Sequence, residues 1–203
     1  MLNELPFHIA IGVTLTIDAL LLGALSWMFR SPAFAKYHVR AVMEMKGVSR
    51  NAYLFNISSN GLLSMVATIG LIYGLSPWTM TAAETPIWLI AFQGVAVLFI
   101  YDFAYYFLHR LMHWKRVFGL VHGVHHKARF PSALDSLYQS PIELLSGLGL
   151  LMAVTALVGP IHWAAFVGVF FLYSTLHIVI HSGMTFPHPV FGLLNYLTMK
   201  HHR

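Results

Sequence analysis

The sequence predicts an all-α, polytopic membrane bundle, and three observations lead there. Apolar residues make up 58% of the 203 and charged residues only 9%, where soluble domains average about 25% charged. Uninterrupted apolar stretches approach the roughly 20 residues that cross a bilayer as a helix. All 12 lysines and arginines fall between Arg30 and Arg50, between Arg110 and Arg129, or at Lys200 and Arg203.

The first span is expected at about residues 6–29. Met1-Leu2-Asn3-Glu4 lacks the basic start of a cleaved signal peptide, so this span should remain as an anchor. A basic segment follows, then a second span at about 53–75. The loop at 76–85 has no lysine or arginine and carries Glu84. A third span at about 86–108 leads into the second basic segment. The last two spans, at about 141–159 and 162–181, form a hairpin turned by Gly159-Pro160. Ser146, Gly147 and Gly149 offer small faces for close helix packing, and Trp27, Trp78, Trp88 and Trp163 fall where an interfacial aromatic belt would lie. Strand signals are negligible, because backbone groups in lipid are satisfied within helices. The positive-inside rule puts the basic segments on the cytoplasmic side and the amino terminus outside. Residues 1–203 read as one membrane domain, with amino-terminal spans over 1–85 and a histidine-rich region over 86–203.

Composition also excludes functions. The net charge of +5 follows from topology, which removes the argument for nucleic acid. With no cysteine, the chain forms no disulfide, thiolate-ligated haem or cysteine-ligated iron–sulfur cluster. No glycine-rich fingerprint follows a strand pattern, so a bound dinucleotide is not expected. Any electrons must come from a partner.

The chemistry is carried by histidines. His109 and His113 are four apart and share a helix face, the spacing by which two imidazoles bind one ion. His122 stands three and four residues before His125 and His126. His177 and His181 repeat the four-residue interval, and His201 and His202 lie near the end. The topology drawn from lysine and arginine places all four groups at one membrane face, as a shared metal site requires. His8, His38 and His162 have no partner at ligand spacing, and His188 sits in a Pro-His-Pro turn; these read as structural or interfacial. Asp102, inside the third span, is placed to accept the second N–H of a ligating histidine, or to pair with Arg110 or a tyrosine hydroxyl. Glu143, after Pro141, suits a helix start and also an outer partner to the ligands. Asp18 has no such context and faces a protein interior.

Asp-x-x-Tyr-x-x-x-His-Arg-x-x-His and His-x-x-His-His, over Asp102 to His126, resemble the fatty acid hydroxylase/sterol desaturase superfamily of membrane di-iron enzymes. Leu134, Pro141-Ile142-Glu143-Leu144, His181-Ser182-Gly183 and His201-His202-Arg203 continue the resemblance, which covers about residues 95–203. It implies an oxidoreductase with two iron ions that activates dioxygen to hydroxylate or desaturate a fatty acyl, sterol or ether lipid. An external donor, cytochrome b5-like or a ferredoxin with its reductase, would supply electrons. His109, His113, His122, His125 and His126, joined by His181 and His202, become ligands by position, with His201 and His177 as further candidates and Asp102 and Glu143 behind them. At Tyr138 many relatives have Arg. The family's final box reads His-x-x-His-His, so two more ligands are expected beyond Arg203 and the chain reads as a truncated gene or fragment. The alternatives are a histidine-rich metal transporter, a haem-binding electron carrier and a non-catalytic truncated relative.

Overall fold

The computed structural model describes residues 5–38, 47–128, 132–185, 188–190 and 192–193. Among them, five helices are long and apolar enough to cross a membrane: α1 (Leu5–Arg30), α2 (Arg50–Thr79), α3 (Ile87–Met112), α5 (Pro141–Val158) and α6 (Trp163–Ile180). A one-turn helix, α4 (Lys115–Phe118), and 3-10 turns at Pro32–Tyr37, His125–Lys127 and Ala133–Leu137 link them.

Local chemistry sets the boundaries. Ser49 caps α2, its hydroxyl accepting from the Ala52 amide at 3.3 Å. Ser140 does the same for α5 through the Glu143 amide at 3.1 Å, with Pro141 in the first turn, where no intrahelical N–H is needed. Gly159, at φ +103°, ends α5 in a backbone region that a side chain would strain. α2 runs four residues past the expected span, through Pro77. Proline cannot donate to the carbonyl four residues back, and the Ser76 hydroxyl donates to that Tyr73 carbonyl at 3.2 Å instead. α3 likewise extends one turn past its span, carrying His109 on regular helix.

Neighbours run in the order α2, α5, α3, α6, α1. Phe7, Ile72, Val97, Leu151 and Phe166, one from each helix, share a single buried cluster. Gly147 lets α5 approach closely, since a Cβ there would stand 3.3 Å from the Tyr173 hydroxyl. Gly149 faces open space instead. Asp18 is buried, and its carboxylate accepts from the Thr175 hydroxyl at 3.2 Å, tying α1 to α6. Much of the outer surface is apolar. On α3 alone Trp88, Phe92, Val95, Phe99, Phe103 and Phe107 are exposed, far more than a soluble monomer presents and what lipid contact requires.

One element departs from the expected all-helical reading. β1 (Met80–Thr81) and β2 (Ile161–His162) pair in parallel, Met80 with Ile161 and Thr81 with His162. They link the loop after α2 to the α5–α6 turn, so these peptide groups pair outside the helices. His162 also donates its amide to the Gln93 side chain at 2.9 Å, and His8 meets the Tyr73 hydroxyl at 2.9 Å. Both histidines are therefore committed near the strand end of the bundle, away from the other imidazoles.

Because the chain lacks cysteine, single cysteines report topology cleanly. Exposed Ala83 and Lys115 lie at opposite ends, so A83C and K115C are expected to react with an impermeant maleimide from opposite sides of a sealed vesicle. Labelling from one side would contradict the helix count between them.

Candidate metal centre

At the end of α3, His109 and His113 stand one turn apart with ring centroids 5.0 Å from each other. His113 is the helix C-cap, its amide donating to the His109 carbonyl at 3.1 Å. The chain then turns through α4 and doubles back. The Gly123 amide donates to the Phe118 carbonyl, and a Cβ on Gly123 would fall 2.9 Å from that carbonyl oxygen. Glycine is what allows this turn, and the turn returns His122 to within 4.5 Å of His109 and 4.6 Å of His113, ring to ring.

His126 completes the first group, 4.6 Å from His122 and 5.1 Å from His113. A second group forms beside it. His125 lies 5.2 Å from His181, and His181 lies 4.7 Å from His177. His122 and His125, 5.6 Å apart, join the two. Residues 125–127 form a 3-10 turn, in which consecutive side chains leave the axis about 120° apart, and His125 and His126 enter different groups.

The outer nitrogens of three histidines are tied down. His122 Nδ1 lies 2.7 Å from Glu143 Oε1 in a buried pair. His125 Nδ1 lies 3.2 Å from the Tyr138 carbonyl, and His181 Nδ1 lies 2.8 Å from the His177 carbonyl. A carbonyl only accepts, so Nδ1 carries the proton in His125 and His181; an ionised Glu143 imposes the same tautomer on His122. In a neutral ring this leaves the lone pair on Nε2, the form in which imidazole ligates a metal. Partial burial and the neighbouring His122 also lower the His113 pKa from its ordinary value.

The donor set fits a metal ion. One nitrogen each from His109, His113 and His122 lies within 4.8 Å of the others. Ligand bonds of about 2.1 Å let two nitrogens on one ion stand up to about 4.2 Å apart, a difference that side-chain rotation covers. Glu143 Oε2 is buried with no hydrogen-bond partner among the described residues, so the carboxylate keeps an oxygen that a nearby cation would favour.

Asp102 does not take the place expected for it. It is exposed on α3, and no bond to a histidine joins it among the described residues. Seven residues restore the helix face but add about 10.5 Å of axial rise, beyond a hydrogen bond to His109. The carboxylate that meets a histidine of these groups is Glu143, from α5. His38 stacks on Phe29 at 4.8 Å and pairs through its backbone with Met184, and His188 is exposed. His201 and His202 lie outside the described residues.

Sequence reasoning missed residues 132–140 as a support. Asp135 accepts from the Ser132 amide at 2.6 Å, the Ser132 hydroxyl at 2.8 Å and the Tyr53 hydroxyl at 2.8 Å. Burial pushes its carboxyl above the usual range, and those bonds pull it back in part. Asn56 and Asn60 donate to backbone carbonyls of the same segment. The available signal was three residues with polar groups, Tyr53, Asn56 and Asn60, at one helical face of a span whose other polar residues are mostly small hydroxyls.

Fold and site together define a polytopic helical membrane protein that gathers histidines from separate chain segments at one end. The chain belongs to the fatty acid hydroxylase family, whose model matches residues 94–203, more than half of it. It is 34% identical over 117 residues to methylsterol monooxygenase 1 of Rattus norvegicus, covering 54% of this chain and 36% of the rat protein. With the sphingolipid C4-hydroxylase sur2 of Schizosaccharomyces pombe it shares 35% identity over 102 residues, 48% of this chain and 34% of the yeast protein. With the very-long-chain aldehyde decarbonylase GL1-9 of Oryza sativa subsp. japonica it shares 29% over 164 residues, 78% of this chain and 62% of the rice protein. The chain thus spans less than two thirds of each of these relatives. No solved structure matches it.

Removing the carboxylate behind His122 should weaken metal binding without abolishing it. E143A is expected to lower cobalt affinity by about 10- to 100-fold, and E143Q, whose amide oxygen still accepts, by less. Titration of the purified protein in detergent measures both, and equal affinities would separate Glu143 from the site.

Proposed function

We propose that this chain is a membrane di-iron oxygenase that hydroxylates or desaturates a lipid C–H bond, with dioxygen as co-substrate and electrons from an external donor. The observation that carries the reading is the pair of adjoining histidine groups at the end of a lipid-facing bundle. His109, His113, His122 and His126 would hold one ion. His125 and His181, with His177 and the sequence-neighbouring His201 and His202, would supply the other. Nitrogen ligands with open positions suit iron that binds oxygen. Bound iron supplies the activation of dioxygen: hydroxylation places one oxygen atom in the C–H bond and releases the other as water, desaturation releases both as water, and each takes two electrons and two protons.

The chain's own residues do the rest. Glu143, Tyr138 and His177 fix ring direction and tautomer. The Glu143 carboxylate offsets part of the charge that neutral imidazoles leave uncompensated. A substrate of this class, long and apolar with a polar end, reaches the histidine end without leaving the bilayer. The sterol, sphingolipid and aldehyde chemistry in the names of the relatives bounds the substrates to try. The basic residues around the histidines support a cytoplasmic side for this end, and the 203 residues would act as one membrane unit.

Ion transport is the rival reading. Transporters bind ions near the midplane at broken helices. Here Asp18 is engaged by Thr175 and Asp102 is exposed, while the histidines gather at helix ends.

The test is oxidation of membrane lipids by the iron-loaded protein, extended through any residues that follow Arg203 and supplied with a reductase pair. Oxygen uptake is expected to match the appearance of hydroxylated or unsaturated lipid by mass spectrometry, and H125A should abolish both. Metal flux into vesicles that H125A stops, with no lipid oxidised, would overturn the reading.

A further inference from the structure

α2 lies outside the region that the family covers, yet its polar face reaches the histidine groups through one short segment. Asn60 is 1% exposed. Its amide nitrogen donates to the Leu137 carbonyl at 3.0 Å and the Gln139 carbonyl at 2.7 Å, and lies 3.2 Å from Asn56 Oδ1. Asn56 donates to the same Gln139 carbonyl at 3.1 Å. Between these two carbonyls lies Tyr138, whose own carbonyl turns the other way, to His125 Nδ1. The Tyr138 ring, 4% exposed, stacks on Tyr53 of α2 at 5.6 Å.

We propose that Asn60, seconded by Asn56, is a positioning residue for His125, holding the peptides on either side of Tyr138 so that the Tyr138 carbonyl meets the imidazole. The physical reason is the surroundings. Residues 132–140 hold only a short 3-10 turn and pack against apolar helices, where an unsatisfied carbonyl is costly. An amide is the uncharged side chain that gives two donors from one position, so a single residue fixes both flanking carbonyls. With those fixed, the Tyr138 peptide has little freedom, and its carbonyl sets both the direction of the His125 ring and the nitrogen that carries its proton. Leucine at position 60 would fill the space and donate nothing. The two carbonyls would then turn to other donors, carrying the Tyr138 peptide with them. The inference rests on the reading of His125 as a metal ligand for its consequence, but the positioning itself is visible without metal.

Two readouts separate these. In metal-free protein with 15N-labelled histidine, NMR reports which ring nitrogen of His125 is protonated, assigned by its loss in H125Q. Wild type is expected to show the Nδ1–H form and N60L a mixture or the Nε2–H form. Cobalt titration of the same samples should show N60L binding about 10-fold more weakly, the lower end of what a residue supporting a ligand costs. T68A, which changes a buried polar residue of α2 remote from this segment, should melt earlier while keeping both readouts. If N60L does not fold, N56L removes one of the three side-chain bonds to these carbonyls and carries the test. Wild-type tautomer and affinity in a folded N60L or N56L overturn the inference. A tautomer shift in N60L from a protein whose wild type binds no cobalt upholds the positioning and overturns the metal reading alone.

Discussion

An imidazole ring has one lone pair when neutral, and everything at this site depends on where that lone pair points. If Nδ1 is protonated and engaged, Nε2 is left to face an ion; if Nδ1 is loose, the ring rotates and the donor is lost. In His122, His125 and His181 the engagement comes from three different sources: a carboxylate on α5, a carbonyl in the segment before α5, and a carbonyl one turn back on α6. The bundle can therefore be read as a frame that brings these acceptors to the outer side of the rings while the rings converge. Low dielectric surroundings strengthen each of these bonds and make each broken one costly.

That requirement explains why the site draws on so much of the chain. α3 supplies two rings on one face, but a second pair must come back against them within a few residues. The Gly123 turn does this, at a position where the backbone of Phe118 and Gly119 leaves no room for a Cβ. α5 and α6, packed on either side of α3, then close the site, and both contribute to the core around Leu151 and Phe166. Their short connection pairs with β1, and as each helix has 18 residues, Glu143 at the start of one and His181 at the end of the other lie toward the same end of the bundle. The supports on α2 belong to the same logic, acting one step further out.

The five spans were legible because apolar length and basic flanks are strong, local signals; α1, α5 and α6 fall within a residue or so of where hydropathy places them. Extensions of α2 and α3 were hidden by Pro77 and by polar residues that a hydropathy reading stops at. The grouping of histidines was legible from spacing combined with topology, since i, i+4 pairs at helix ends announce themselves. The division into two groups was not, because it depends on which rings the adjoining His125 and His126 meet across the fold, His181 for one and His122 for the other. Asp102 drew attention as an acid in a span, and face periodicity alone hid the axial distance. Glu143 was readable only as a helix start with a second possible use. The contacts of Asn56 and Asn60 join positions 77 to 83 residues apart, and pairings at that separation leave no mark in a single sequence beyond polar residues on one face.

X-ray absorption at the iron edge, with an iron count on the same purified sample, decides whether these imidazoles hold iron. Two irons per chain with the outer-shell scattering of several imidazoles, at metal–nitrogen distances of about 2.0–2.2 Å, are expected. Iron well below one per chain, or iron surrounded by oxygen without imidazole scattering, would contradict the di-iron reading.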